Sequence, residues 1–463
     1  VISDQSAVIS RQPSEFANRN IERKATQKDH SMTKPLAMAA LFSVFGLWCS
    51  ASNAAETPNI VLIISDDQAW TDYGFMGHQS IKTPRLDQLA NESLVFQRGY
   101  VPSSLCRPSL ATMVTGLYPH QHKITSNDPP LPSGPQFLKQ RQQMIDNIDR
   151  VPTLPRMLAE KGYLSHQSGK WWEGHHSRGG FTHGMTHGDP KRGGRHGDEG
   201  LKIGRQGLQP IFDFINEAGE KPFFIWYAPF LPHTPHNPPQ RLLDKYKEKT
   251  DSPHVARYWA MCEWFDETCG QLLDFLDEKK LADNTIVLYV ADNGWIQNPQ
   301  GGGYAPRSKR SQYDGGLRTP IMIRWPGKVK PAIDAEHPVL SNDIAPTILA
   351  ACGLQPTKDM PGVNLLDADA VAGRDAIFGE VFLHNAKDIQ QPASSLQYRW
   401  CISGRWKLIV PNAINVAGGK IELYDLEADP FEKSNMAEKN PDVAVRLRGL
   451  IEHWWPAVSD APS

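Results

Sequence analysis

Four short stretches of the chain are apolar at nearly every position: 59–65 (NIVLIIS), 222–228 (PFFIWYA), 285–291 (TIVLYVA) and 320–325 (PIMIRW). A half-exposed strand alternates apolar and polar residues, whereas a strand covered on both faces does not; these runs therefore predict buried strands of a largely parallel sheet. Between them, apolar residues recur at three- and four-residue spacing over 84–93, 154–161, 208–217 and 254–280, which predicts helices with one buried face. Strands alternating with helices predict an α/β fold, a mostly parallel or mixed central sheet covered by helices. After about residue 375 the pattern changes. Short strand-like pieces at 376–381, 400–410 and 421–426 lead to a helical stretch at 442–455, so a smaller C-terminal α+β subdomain is expected over 371–463, after an α/β domain over 56–370.

The beginning of the chain does not read as part of this fold. Met32, Thr33 and Lys34 precede an apolar run at 36–48 and the small residues 51–55. A cationic start, a short apolar stretch and a small-residue exit predict a secretory signal cut near Ala54 or Ala55, and hence a periplasmic or extracellular protein. Residues 1–31 read as a polar extension outside the mature protein. The run is shorter than the roughly 20 residues that cross a bilayer, and no other long apolar segment follows, so no stable membrane span is expected.

Composition narrows the function classes. With 49 Lys and Arg against 51 Asp and Glu, the 463-residue chain lacks the basic excess that neutralises phosphates, and nucleic acid is not an expected partner. An apolar content of 40% with this small net charge excludes a disordered chain. The six cysteines show no CxxC or Cys/His zinc spacing. Cys262 and Cys269 fall on one predicted helix with a rise of about 10 Å between them, too far for a disulfide; a Cys352–Cys401 bridge stays open.

Chemistry-bearing residues sit where strands end. Asp66 and Asp67 follow the first apolar run, and Asp292 and Asn293 follow the third. Ligands collect at the carboxyl ends of parallel strands. Three carboxylates and an amide oxygen gathered there would repel one another without a cation, and an all-oxygen set suits calcium or magnesium. Taken alone, the same residues also fit helix caps and turns. Cys106 precedes the helical pattern Pro108 to Thr115, closed by Gly116, so it lies at a helix N-terminus that favours anions and activates a nucleophile; a buried structural thiol is the bland alternative. His233 follows the 222–228 run, and Lys170 and Lys309 lie in order with it along the chain, so that one anionic group could meet all three. Residues 173–207 are rich in Gly, His and Arg, a long loop of the kind that lines a site.

Together these segments resemble the type I sulfatases of the alkaline phosphatase superfamily. The resemblance runs from NIVLIISDDQAWTDYG through TPRLDQLA, SSLCRPSLATMVTGLYPHQH, SGKWW, PHTP, VADNG and SKRSQYDGGLRTPIMIRWPG to SNDIAPTILAACG and ELYDLEADPFEKSNMA, nearly the whole of residues 56–463. It implies a sulfuric ester hydrolase, and among exported relatives one acting on a sulfated carbohydrate. It implies that a formylglycine-generating enzyme oxidises Cys106 to formylglycine (3-oxoalanine), an aldehyde that hydrates to a gem-diol nucleophile. It implies calcium, with magnesium second, held by Asp66, Asp67, Asp292 and Asn293, and Lys170, His233 and Lys309 gripping the sulfate and assisting the leaving group.

Two positions depart from the family pattern. Leu110 stands where the Cys-x-Pro-Ser-Arg signature has its arginine, and Trp172 stands where Gly-Lys-Trp is usually followed by histidine. Arg107 or an arginine from 178–205 is a candidate to restore the charge, and His122, His175 or His176 to restore the base. With Trp172, these three histidines are candidate substrate-binding residues. A phosphodiesterase or phosphonate hydrolase of the same superfamily, or a glycan-binding relative without catalysis, are the alternative readings.

Overall fold

The computed structural model describes residues 57–456; the signal segment at 32–55 with Cys49, and the extension at 1–31, lie outside the described residues. The strands are β1 (Asn59–Ser65), β2 (Leu94–Phe96), β3 (Gly99–Tyr100), β4 (Leu164–Gly169), β5 (His183–Gly184), β6 (Phe223–Ala228), β7 (Thr285–Ala291), β8 (Ile321–Arg324), β9 (Ala332–Asp334), β10 (Val339–Leu340), β11 (Ile377–Phe382), β12 (Leu396–Ser403), β13 (Trp406–Pro411) and β14 (Glu422–Asp425). Eight of them form the central sheet in the order β5-β4-β6-β1-β7-β8-β2-β9. All its pairs are parallel except the two made by β8.

The continuous apolar runs occupy the middle of this sheet because both faces there are covered. Along β1, Ile60, Leu62 and Ile64 enter one core and Val61 and Ile63 the other. β6 and β7 divide in the same way: Phe224, Trp226, Leu288 and Val290 face the first core, and Ile225, Tyr227, Val287 and Tyr289 the second. Helices Pro84–Asn91, Gln209–Ala218 and Pro253–Glu278 cover the second core, with Leu86 and Leu89, Ile211 and Ile215, and Phe265, Cys269 and Leu272 at helical spacing. Helices Cys106–Thr115, Leu154–Ala159 and Ile344–Ala351 cover the first.

The C-terminal part is a separate antiparallel sheet, β11-β12-β13-β14, closed by helix Pro441–Trp454. Its two faces alternate. Trp400, Ile402 and Ile409 pack into the core of the larger sheet, while Cys401, Leu408 and Leu423 pack beneath Leu447 and Ile451 of the helix. The stretch 400–410, expected as one piece, is a hairpin: β12 pairs with β13 from Tyr398↔Pro411 to Ser403↔Trp406. Gly404, with φ of 57°, supplies the left-handed residue that a two-residue turn needs. The described cysteines are all free, Cys352 and Cys401 included. No described helix is long and apolar enough to cross a membrane.

Candidate active site

β4, β6, β1 and β7 are neighbours, and their carboxyl ends open onto one place. Lys170 follows β4, His233 lies beyond β6, Asp66 and Asp67 follow β1, and Asp292 and Asn293 follow β7. Backbone pairing carries on past the strands. Asp66 N donates to Leu231 O (3.0 Å), Lys170 N to Ala228 O (2.7 Å) and Asp292 N to Ser65 O (2.8 Å). These residues are therefore held by the sheet and not by free loops. Asp67 leaves the strand path with φ of 66°, a conformation that costs an aspartate about 1–3 kcal/mol. In that conformation its amide donates to Asp292 Oδ1 (3.0 Å).

Two further segments complete the site. Cys106 opens helix Cys106–Thr115 and is buried. Lys309 lies on a loop where Arg307 and Arg310 both take left-handed φ, 61° and 65°. A fully buried Lys407 of β13 anchors the far side of that loop by donating to Asp314 Oδ1 (2.8 Å) and pairing with Glu432 Oε1 (2.7 Å). The small sheet thus steadies a loop of the large one.

The side chains interlock. Lys170 Nζ donates to Asp66 Oδ1 (2.7 Å) and lies 3.9 Å from Asp292 Oδ2. Lys309 Nζ donates to Asp67 Oδ1 (2.5 Å) and to Cys106 Sγ (3.0 Å). Asn293 Nδ2 donates to Asp67 Oδ1 (2.7 Å), and His233 Nε2 lies 3.4 Å from Asp67 Oδ2. Ligand atoms of Asp66, Asp67, Cys106 and His233 all fall within 4.8 Å of one another.

Burial dominates the electrostatics. It pushes the Asp66 carboxyl well up, with Lys170 opposing, and also raises Asp292. Burial pushes Asp67 up too, but the ammonium groups of Lys309 and Lys170 outweigh it and hold that carboxyl below the usual range. Burial drives His233 well down, so the imidazole is neutral. The Cys106 thiol is pushed up to about 12 by burial and then by Asp292. The helix N-terminus does not activate it: as a thiol, residue 106 is protonated.

Three carboxylates thus face two ammonium groups. Asp66 Oδ2, Asp67 Oδ2, Asp292 Oδ2 and Asn293 Oδ1 are buried without a hydrogen-bond partner among the described residues. A lone orphaned acceptor costs roughly 1–3 kcal/mol, more when charged, so four together are unusual. Four hard oxygens beside a surplus negative charge fit a divalent cation of the calcium or magnesium kind.

Above them opens a cleft of about 300 Å³ reached by Cys106, Lys170, His233 and Lys309. Trp172 lines it too: the guanidinium of Arg195 lies 4.7 Å over its ring and the His196 ring is 5.1 Å away. Asp128 clasps Arg195, accepting from Nε at 2.9 Å. Asn127, His196, Tyr304, Arg310 and His384 line the cleft without having been singled out from sequence. They come singly from distant segments, with no spacing to mark them; His196 and Arg195 at least fall in the expected 173–207 loop.

Three candidate histidines lie elsewhere. His122 is buried under helix Cys106–Thr115, between Thr112 Oγ1 (3.3 Å) and the Ile124 amide, which donates to its Nδ1 (3.1 Å). Burial takes it down to about 3. His175 and His176 cluster with His187 on the outer side of their loop. None of the three lines the cleft. Leu110 is buried in the core, where an arginine would need an anionic partner. Arg107 is fully buried and turned away, its Nε and Nη2 donating to the two oxygens of Glu173 at 2.7 and 2.6 Å. Of the arginines considered, Arg195 is the one on the cleft wall.

The sulfatase family profile matches residues 58–354, and a profile for the C-terminal region of N-sulphoglucosamine sulphohydrolase matches 302–452. Human N-acetylgalactosamine-6-sulfatase is 31% identical over 361 residues, 68% of this chain and 66% of that protein. N-acetylgalactosamine-6-O-sulfatase of Bacteroides thetaiotaomicron is 24% identical over 496 residues, covering 86% of this chain and 93% of the relative. The phosphonate monoester hydrolase of Agrobacterium radiobacter shares the fold, with a TM-score of 0.64 and 19% identity over 86% of this chain and 95% of that one. With its family profile spanning well over half of its length, the chain belongs to the sulfatase family, the sulfuric ester hydrolases of the alkaline phosphatase superfamily.

Proposed function

We propose that the protein hydrolyses sulfate esters on a carbohydrate, with residue 106 as nucleophile after oxidation to formylglycine, and with Asp66, Asp67, Asp292 and Asn293 holding calcium. The observation that carries this reading is the set of four orphaned buried oxygens around Cys106, with Lys170 and Lys309 between them. Hydrated formylglycine would supply two hydroxyls on one carbon, a nucleophile and a group able to eliminate sulfate. Calcium held by the four oxygens would supply positive charge to stabilise negative oxygen. Magnesium, which demands tighter octahedral geometry, is the second candidate.

The protein's own groups do the rest. The Lys309 ammonium, already 3.0 Å from position 106, stabilises negative charge on the attacking atom. Lys170, on the opposite side, meets a sulfate oxygen. Neutral His233 carries its Nδ1 proton toward Thr234 O (2.6 Å), which leaves Nε2 facing the site. There the Nε2 lone pair would take up the proton that the attacking hydroxyl gives up, and the imidazolium so formed, 3.4 Å from Asp67 Oδ2, would hand that proton to the departing alcohol. Adding a dication to three carboxylates and two ammonium groups leaves one positive charge, which a sulfate monoester balances with its single negative charge. A phosphate monoester dianion would overshoot.

Carbohydrate specificity rests on the two relatives named for N-acetylgalactosamine 6-sulfate and on the cleft wall, where the Trp172 ring and the donors of Arg195 and His196 suit a polar sugar face. Export and maturation by a formylglycine-generating enzyme belong to the same reading, as does a catalytic domain over 56–370 with its subdomain over 371–463.

The test is peptide mass measurement at Cys106 in protein from its native host, followed by sulfate release from a 6-sulfated N-acetylhexosamine. The aldehyde and sulfate release are the expected results. Unmodified thiol without turnover would favour a binding relative. Faster phosphorus–oxygen cleavage of a matched phosphonate monoester would favour the fold's other activity. Chelation gives a second check. Saturation at about 100 times Kd stabilises a protein by roughly 2.7 kcal/mol, so chelator should lower the unfolding midpoint and stop turnover, and calcium should restore both. An unchanged midpoint and rate after chelation would exclude the ion.

A further inference from the structure

We propose that His175, His176 and His187 form a second metal site, for a divalent transition cation of the zinc class, separate from the acidic centre. One ring nitrogen from each lies within 4.8 Å of the others. The rings of His175 and His176 are 4.1 Å apart, and that of His187 is 5.7 and 6.4 Å from them. Two ligands of a tetrahedral zinc lie on the order of 3.3 Å apart, so modest rotation of the two exposed rings, His175 and His187, closes the set.

The cluster is built into the backbone and does not depend on chance approach of side chains. His176 N donates to Thr186 O (3.0 Å), which joins the two segments. Gly188 has φ of 73°, and a Cβ there would stand 2.7 Å from the Gly174 backbone and 2.8 Å from the amide nitrogen of His175; only glycine permits this approach. Asp198 fixes the second segment by accepting from the amides of His187 (3.0 Å) and Gly188 (2.7 Å).

The hydrogen bonds also orient the rings. His176 Nδ1 lies 3.2 Å from Thr186 O, which can only accept, so the proton is on Nδ1 and the lone pair on Nε2 faces outward. This is the outer-shell arrangement that metal-bound histidines use. His175 Nδ1 accepts from the Ser177 amide (3.2 Å) and lies 2.9 Å from Ser177 Oγ, which fixes the ring; its proton is on Nε2, and a cation bound there would displace it. The His187 ring makes no hydrogen bond among the described residues. Imidazole nitrogens without a carboxylate select zinc, copper or nickel over calcium.

An ion there would pin residues 174–188. The same stretch is tied through Thr186 Oγ1 to Gly197 O (3.0 Å), next to the cleft residues Arg195 and His196. The site therefore steadies the cleft wall and takes no part in bond breaking.

The experiment is a calorimetric titration of zinc chloride into the untagged, calcium-saturated enzyme, with hydrogen exchange of residues 173–207 read in parallel. One equivalent should bind, and exchange in that segment should slow. His187→Ala, on an exposed side chain, should keep the zinc-free unfolding midpoint, weaken zinc binding at least about 10-fold and abolish the protection. Absence of saturable binding at one equivalent, or equal affinity in His187→Ala, would overturn the site; the latter would place zinc in the acidic centre instead.

Discussion

Cys106→Ser is expected to abolish catalytic turnover while leaving the fold standing. Serine nearly matches cysteine in shape, and its hydroxyl would meet Lys309 where the thiol now does, 3.0 Å from Nζ. The buried position should tolerate it within about 1–2 kcal/mol, read as a small shift of the unfolding midpoint. Turnover fails for a reason of atom count. A serine oxygen that has attacked sulfur and released the alcohol is itself a sulfate ester. It carries no second hydroxyl on the same carbon from which sulfate could be eliminated. Release then depends on water attacking sulfur directly, in a cleft lined by Trp172 and Trp295. At most one equivalent of alcohol should appear, followed by at least about a 10³-fold loss in steady-state rate, comparable to removing a principal catalytic group. The unoxidised cysteine should be just as idle. With its pKa pushed up to about 12 by burial, the thiol stays protonated at pH 7. Steady turnover by Cys106→Ser, measured as sulfate released per enzyme, would remove residue 106 from the mechanism.

The parts of this molecule that sequence makes legible are those where one physical rule acts alone. β1 and β7 need burial on both faces and nothing else, and their limits can be read to the residue. The acids after them follow from the strand-end rule, which places Asp66, Asp67, Asp292 and Asn293 together before any contact is known. β4 was not legible, because its residues LSHQSG look like a loop. From Ser165 on they are buried all the same, and two of their polar side chains are satisfied internally: Ser168 Oγ donates to Trp226 O (2.9 Å), and Gln167 Oε1 accepts from the Thr186 amide (3.0 Å). Hydropathy cannot see a strand whose polar atoms are paid for by neighbours 58 and 19 residues away. The hairpin at 400–410 was blurred for a simpler reason, since apolar residues flank a turn of only two residues, Gly404 and Arg405.

Histidines show the same limit at the site. A single histidine carries no period and no partner in sequence. His122 serves the core, His175 and His176 face outward, and His196 and His384 reach the cleft, yet nothing local distinguishes them. What separates them is the path of residues 173–207. That path depends on Arg107, Glu173 and Arg141, three charges buried together and far apart in the chain.

That buried triad sets the second large effect. Glu173→Ala should destabilise the protein by about 3–5 kcal/mol, because Arg107 is fully buried and would lose both of its short carboxylate contacts. Its other partners cannot compensate: Nη1 reaches only Asn127 O at 3.4 Å and the Met144 sulfur at 3.7 Å. Arg141, held down to about 10 by burial and by Arg107, would then face an uncompensated like charge. The damage should spread to the cleft, since Glu173 follows Trp172 directly and Arg107 follows Cys106. KM for the sulfated sugar should therefore rise. The double variant Arg107→Met, Glu173→Leu separates charge from packing. Matched apolar residues remove both ions at once, and such swaps are often neutral or stabilising, so much of the lost stability should return. Equilibrium denaturation of the single and double variants gives the coupling energy directly. A cost below about 1 kcal/mol for Glu173→Ala, or simple additivity in the cycle, would mean that the pair does not hold the loop, and that the position of Trp172 has some other cause.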